Sequence, residues 1–363
     1  MAGIFGFKKL SDINLNDPIF DSLKRDYPGN ENSTGFVEWF NKKAEQGEKA
    51  LVFEDEYGLG AFILLKQYED ELINLLDGQL DSKIRTKIST FKLSDRFRGK
   101  RLGEGAIGLI LWIWINKYNT DEIYVTVYEK QETLIILLEK FGFTYMGKNL
   151  NNECIYIKSK LNIDYTDPYK SFPFINPDME KSGYIVINDE YHDTMFPYSE
   201  LQNVFQKQLS LHVSNGLTKV YVGNSFKLPH YNIGEPILIY RRHQGENAKY
   251  KSCITSYCVV TDVTFAKQNG RIIISFENLW DDIKNKTVFT KDELRRIYND
   301  KNVLIIKMIY YGYFGKGNNI NLKYLKDNGY WPDGYPTETI LNKKQFIEIL
   351  KKGNINVSNI IID

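Results

Sequence analysis

The sequence predicts an α+β chain of two domains, a mixed sheet flanked by helices followed by a small β-barrel with helices. Three observations carry this. Apolar residues switch repeatedly between helical and alternating spacing in short segments. A length of 363 residues exceeds what one hydrophobic core usually organises. Pro168, Pro173 and Pro177 interrupt both patterns in mid-chain, which places a linker at 161–180 between domains 1–160 and 181–363.

In the first domain, Phe36, Val37, Trp39, Phe40 and Ala44 recur at helical spacing and Gly47 stops the helix. The runs Ala50 to Phe53 and Leu59 to Lys66 flank the turn Asp55-Glu56-Tyr57-Gly58, a hairpin pattern. Arg85 to Leu93 reads as a strand leading through Arg98 to Gly105 into a strongly apolar helix that runs to Tyr118. Ile123 to Val127 is a β-branched strand. Leu134, Ile135, Leu137, Leu138 and Phe141 form an amphipathic helix closed at Gly142, a left-handed cap position. Strands at Phe143 to Met146 and Cys154 to Ile157 complete the unit.

The second domain reads as strands at Tyr184 to Ile187, Lys219 to Val222, Pro236 to Tyr240, Ser252 to Asp262, Arg271 to Phe276 and Val303 to Ile309. Helices are expected at Ser199 to Ser210, Lys291 to Ile297 and Lys343 to Lys352. Many short, closely spaced strands suggest the barrel.

Against 47 Lys and Arg stand 46 Asp and Glu, so no global field draws the protein to nucleic acid or an anionic membrane. Three cysteines, Cys154, Cys253 and Cys258, match neither a disulfide framework nor a zinc ribbon. The N-terminus lacks the apolar core of a signal peptide, and the longest apolar stretch, Ala106 to Ile115, is about half a membrane span. A soluble cytoplasmic protein is the expectation. All four histidines, His192, His212, His230 and His243, fall in the second domain, none at metal-ligand spacing, so no metal is expected.

The densest chemistry lies between Lys83 and Arg101. Lys83, Arg85, Lys87, Lys92, Arg96, Arg98, Lys100 and Arg101 face one acid, Asp95. The segment runs down a strand into Arg98-Gly99-Lys100-Arg101-Leu102-Gly103-Glu104-Gly105 and then a helix. First-turn amides of a helix are unsatisfied donors at its positive end, and glycine lets a phosphate approach the backbone, so a pyrophosphate ligand fits. Neither the Walker A nor the dinucleotide spacing is present.

These residues resemble the signature of the GNAT superfamily of acyl-CoA-dependent N-acetyltransferases. Arg98 opens the signature and Gly103 closes it, while Arg101 stands where the family has its first Gly. Leu134 to Phe143, ending Lys140-Phe141-Gly142-Phe143, resembles the family's second motif. The resemblance covers about residues 20–160 and implies acetyl-CoA as acyl donor. It implies that amides of Arg98, Gly99, Lys100, Arg101, Leu102, Gly103 and Glu104 bind the pyrophosphate and that Phe91 and Leu93 line the pantetheine arm through main-chain bonds. Lys92, Lys100 and Arg101 are candidates to neutralise phosphates. Gln131 stands at the family's frequent Asn. Leu138 stands where many members carry the Tyr that protonates the leaving thiolate, so the catalytic residues are unassigned. Tyr128, Glu129 and Tyr145 could substitute.

Further on, Ile233-Gly234-Glu235-Pro236-Ile237-Leu238-Ile239-Tyr240-Arg241-Arg242 resembles a turn and barrel strand of PUA-like domains, including the ASCH and EVE groups, over about residues 184–310. That implies a nucleic-acid cleft, for which Arg241, Arg242, His243, Lys249, Tyr250 and Lys251 supply cations and Trp280 and Trp331 stacking surfaces. A solvated hairpin loop is the alternative for this run. Tyr191-His192-Asp193 before Phe196-Pro197 reads as a cap or packing cluster. The functional expectation is direct N-acyl transfer from acetyl-CoA to a nucleic-acid-borne or protein amine, with RNA or tRNA as a partner. The rival is a non-catalytic RNA-binding or regulatory protein with a degenerate GNAT-like domain.

Overall fold

A computed structural model describes residues 4–29, 34–197, 215–315 and 317–362. The helix expected at Ser199 to Ser210 lies outside them, as does His212. The chain divides into two compact units. One comprises Met1–Ala106, Lys117–Glu139 and Phe143–Leu161, the other Ile107–Asn116, Lys140–Gly142 and Asn162–Asp363.

The first unit is built on a seven-stranded sheet of order β1-β2-β3-β4-β5-β7-β6. The strands are β1 (Ile4–Lys9), β2 (Lys49–Asp55), β3 (Gly58–Leu75), β4 (Gly78–Leu93), β5 (Glu122–Val127), β6 (Thr144–Lys148) and β7 (Cys154–Ser159). All neighbours are antiparallel except β4 and β5. Helices α1 (Asp21–Asp26) and α2 (Phe36–Glu45) precede the hairpins, α3 (Leu102–Ile113) follows β4, and α4 (Glu132–Lys140) follows β5. Phe20, Phe36 and Phe40 bury against Val52, Phe62 and Leu64 of the sheet, which explains the helical spacing of the aromatic residues in α2. Gly142 adopts φ 78°, and the Phe143 amide bonds back to the Leu138 carbonyl, so the glycine closes α4 as expected.

Three features differ from expectation. β1 pairs with β2 although Gly6 interrupts its alternation. The apolar helix ends as α-helix at Ile113 and continues to Tyr118 as a π-turn. β3 and β4 extend far beyond Lys66 and Arg85 as a hairpin arm, whose Ile73, Leu75 and Leu80 pack on Tyr124, Ile155 and Ile157. Register shifts at Lys66/Glu69 and Glu71/Ile73 break the alternation by which a strand is recognised.

The second unit contains strands β8 (Lys181–Ser182), β9 (Tyr184–Asn188), β10 (Thr218–Gly223), β11 (Pro236–Arg242), β12 (Cys253–Gln268), β13 (Arg271–Ile272), β14 (Val303–Tyr313), β15 (Ile320–Asn321) and β16 (Leu341–Asn342). The main path is β10-β14-β12-β11-β9, with β9 parallel to β11. Three register shifts along the β12–β14 pair bend these long strands, giving a half-barrel sheet over a core of Ile237, Ile239, Val260, Ile306 and Met308. The strand expected at Arg271 to Phe276 is only Arg271–Ile272, because Ser275 Oγ accepts the Asn278 amide and starts a helix at Phe276–Ile283. The helix Lys343–Lys352 has the expected bounds.

Candidate active site

β4 and β5 pair in parallel only from Thr86–Ile123 to Ile88–Val125, and then diverge. The cause is local. Against β3, Thr90 faces Leu64 and Ile88 faces Leu65, so Ser89 is an inserted residue, a bulge that adds twist where the pairing with β5 stops. Beyond it the β3–β4 ladder is regular. The Ser94 amide donates to the Gly60 carbonyl at 2.9 Å. Hydrogen-bonded pairs alternate along an antiparallel ladder, so Thr90 and Lys92 also bond to β3, whereas the main-chain groups of Phe91 and Leu93 point away from it, into the opening beside β5. Ser89 Oγ, in the bulge, is buried without a hydrogen-bond partner among the described residues.

The opening leads to the start of α3. A tight turn, Asp95–Phe97, uses the amides of Arg98 and Lys100, which donate to the Asp95 and Phe97 carbonyls at 3.0 Å. Those two amides are therefore withdrawn from the set expected to bind a pyrophosphate. Gly99 has φ 74° with open space at its Cβ position. Arg101, at the signature's Gly position, has φ 57°, a left-handed conformation that costs a side-chain-bearing residue about 1–2 kcal/mol. Leu102 and Gly103 lie in the first turn, where amides have no acceptor within their own helix. A Cβ on Gly103 would stand 3.1 Å from Leu93 and 3.4 Å from Leu137, so a side chain here would crowd the packing of β4, α3 and α4.

The eight cations of the segment do not form one open patch. Arg85 and Lys83 bond Glu122 at 2.6 and 3.1 Å, Lys87 bonds Glu71 at 2.8 Å, and Arg96 bonds Asp55 at 2.5 Å and the Gly58 carbonyl. Burial pushes the Glu122 carboxyl up, but the bonds from Arg85 and Lys83 outweigh it and hold the group below its ordinary range. Arg98 pairs with Asp95 on the surface, and Arg101 folds over the first turn of α3 onto Glu104 at 2.9 Å. Lys100 lies 5.6 Å from the Phe97 ring. Arg101, a candidate to neutralise a phosphate, has its guanidinium paired with Glu104 in this structure.

Leu138, at the family's Tyr position, is 1% exposed and belongs to the core. Gln131 caps α4 through its carbonyl, which accepts from the Leu134 and Ile135 amides, and its side chain is exposed. Of the catalytic candidates, Glu129 is exposed and bonds Lys148 at 2.9 Å. Tyr145 packs on Tyr156, whose hydroxyl donates to Glu139 and is pushed up to about 12 by burial and that carboxylate. Tyr128, just beyond β5, packs on Tyr27 with ring centroids 5.7 Å apart and the planes tilted by 33°. Tyr27 and Glu153, which no sequence motif marks, join it: the Tyr27 hydroxyl donates to Glu153 at 3.5 Å.

In the second unit Arg241 is 2% exposed and makes a bidentate pair with Asp193, 2.8 Å for each bond. It is therefore a structural cation, which corrects its place in a nucleic-acid patch. His192 is fully buried between Asp193, 2.9 Å from Nδ1, and Thr255, 2.8 Å from Nε2. Burial lowers its pKa despite the neighbouring carboxylate. This aspartate–histidine–threonine line has the order of a catalytic triad, but Thr255 is buried as completely as His192, so the arrangement holds the core. His243 bonds Asp189 at 2.8 Å. Arg242, Lys249, Tyr250 and Lys251 are exposed. Trp331 packs 4.4 Å from Tyr240 and 5.5 Å from Tyr184, and Trp280 packs against the core around Val220 and Leu279.

No family model matches the chain, and no curated protein matches it at a significant level. Among solved structures it is similar to a GNAT-family acetyltransferase from Listeria monocytogenes, with 20% identity over 44% of this chain and 98% of that one and a TM-score of 0.33. It is also similar to the N-acetyltransferase PseH from Campylobacter jejuni in complex with acetyl coenzyme A, with 11% identity, 43% and 99% coverage and a TM-score of 0.30. ASCH from Zymomonas mobilis is similar at 11% identity, 47% and 94% coverage and a TM-score of 0.31. Each of these three structures matches less than half of this chain.

Proposed function

We propose that this protein is an acyl-CoA-dependent N-acyltransferase that uses acetyl-CoA. The observation that carries the reading is the opening between β4 and β5, where Phe91 and Leu93 turn their main-chain groups outward and the strand leads into the first turn of α3. An amide-bearing arm extends along β4 like an added strand, and a phosphate meets the amides of Gly99, Leu102 and Gly103. Lys92 and Lys100 supply nearby positive charge. A bound acyl-CoA supplies the activated thioester. The chain's residues hold it extended, exclude water through Leu93, Leu137 and Phe97, and admit an amine at the end of β5. Transfer is direct: the amine nitrogen bonds the acyl carbon, the C–S bond breaks, and the amine's proton passes to solvent or to the thiolate.

The second half, from about residue 181, is read as PUA-like, with Arg242, Lys249, Tyr250 and Lys251 as its nucleic-acid face and Arg241 removed from that set. A cytoplasmic setting is supported by three buried thiols without disulfide partners, and no described helix is long and apolar enough to cross a membrane. The core position of Leu138 favours a second reading, a protein that binds the donor without turning it over. Calorimetry with acetyl-CoA tests the donor site. Wild type binds, and Lys92→Glu with Lys100→Glu binds several-fold more weakly in high-salt-sensitive fashion; no heat of binding with wild type overturns the reading. Steady release of CoA on adding amines separates catalysis from binding alone.

A further inference from the structure

We infer that Arg101 is a positioning residue of the donor site that acts through Glu104: its guanidinium cancels the carboxylate in the first turn of α3, so that a phosphate can reach the Leu102 and Gly103 amides. The inference rests on the donor reading and says what sets affinity at the same site. The Arg101 carbonyl accepts the first bond of the helix, from the Gly105 amide at 3.3 Å, so Leu102, Gly103 and Glu104 form the turn whose amides have no acceptor within the helix. The positive end that attracts a phosphate also holds the acid of that turn, Glu104, whose charge competes for the end and repels a second anion. Arg101 answers it. Its Nε and Nη2 donate to Oε2 and Oε1 of Glu104 at 3.2 and 2.9 Å, a fork-to-fork pair whose side chains are only 12% and 11% exposed.

The other arginines of the segment do different work. Arg85 bonds Glu122 and the Asp81 carbonyl, and Arg96 bonds Asp55 and the Gly58 carbonyl, so both fasten the sheet. Arg98 and Asp95 are more than four-fifths exposed, where solvent screens the pair. Of these four arginines, only Arg101 is paired with an acid of α3. Moving its guanidinium onto a phosphate would take the fork from a carboxylate shielded from water, a costly loss, so the pair stays intact when the ligand binds. The side chains from Arg101 to Glu104 then carry no net charge, and the amides alone meet the phosphate. An arginine at the left-handed position of the turn thus serves the carboxylate three residues on rather than the ligand. Affinity should follow the charge of the pair: zero in wild type, negative in Arg101→Gln, positive in Glu104→Gln and zero again when both are changed.

The test measures acetyl-CoA binding to the full chain by calorimetry for wild type, the two single variants and the double variant, with thermal unfolding of the same samples. Gln at 101 carries a side chain as Arg does, so the left-handed cost is common to all four proteins. Arg101→Gln binds about tenfold more weakly, Glu104→Gln about threefold more tightly, and the double variant returns to within about threefold of wild type. A double variant as weak as Arg101→Gln means that the guanidinium touches the phosphate itself, and overturns the inference. Weaker binding by Glu104→Gln overturns it as well, because a pair that only stiffens the turn loses binding from either side. If Arg101→Gln does not fold, Glu104→Gln against wild type decides by the same criterion. Absence of binding in wild type removes the donor reading and this inference with it, whereas binding with another order of variants removes the inference alone.

Discussion

In the first unit a parallel strand pair opens and turns main-chain groups of β4 outward, while in the second the end of β11 closes around a charge. Both regions are basic, yet they use their cations differently. Around β4 the lysines and arginines are largely matched by Glu122, Glu71, Asp55, Asp95 and Glu104, so the recognition capacity lies in backbone amides and carbonyls. At β11 the cation is itself the structural element, because Arg241 ties β11 to Asp193 next to a buried histidine. Density of positive charge therefore does not locate an anion site by itself. What matters is whether acids from other segments have already taken the charge and whether polar groups are left facing outward.

The largest expected effect separates the two arginines at the end of β11. Arg241→Ala leaves Asp193 without its bidentate partner beside His192 and costs about 3 kcal/mol in urea unfolding. Arg242→Ala, on an exposed neighbour, changes stability by less than about 0.5 kcal/mol. If the two variants unfold alike, the contrast between a buried and a surface cation is wrong.

A second break comes with pH. Burial lowers the folded-state pKa of His192 below the ordinary value near 6.5, so the unfolded chain binds the proton more readily. The contribution is present above about pH 6.5 and is lost as pH falls below it, at a limiting slope of about 1.4 kcal/mol per pH unit. Urea midpoints from pH 7.5 to 5 should fall for wild type and flatten for His192→Gln. An unchanged slope would mean that the histidine is not held neutral.

The smallest effect lies at the start of α3. With φ 57° at position 101, Arg101→Gly should be more stable than Arg101→Ala by about 1 kcal/mol, since neither keeps the bond to Glu104 and only glycine escapes the left-handed cost. Thermal unfolding of the pair measures this difference. Equal stabilities would mean that the turn does not require that conformation.

Much of the framework was readable from residue pattern. Phe36 to Ala44, Leu134 to Phe141 with Gly142, and Lys343 to Lys352 announce helices because one face of each must be buried. The arm from 67 to 84 was not readable, since bulges interrupt its alternation and its partners are 40 or more residues away on β5 and β7. The candidate site was legible as a turn between strand and helix. The pairing of its cations was not, because Glu122, Glu71 and Asp55 are distant in sequence. Arg241 looked like Arg242 for the same reason: Asp193 lies 48 positions away. Tyr27 and Glu153 carry no motif and become visible only when three loops meet.

The central claim is that the donor is held by main-chain groups of β4 and α3 rather than by the basic side chains around them. Backbone amide NMR during titration with acetyl-CoA tests it most directly. The account predicts the largest shifts at the amides of Phe91, Leu93, Gly99 and Gly103, and persistence of those shifts in Lys92→Glu with Lys100→Glu at saturating ligand. Saturable binding that leaves these four amides unmoved would contradict it.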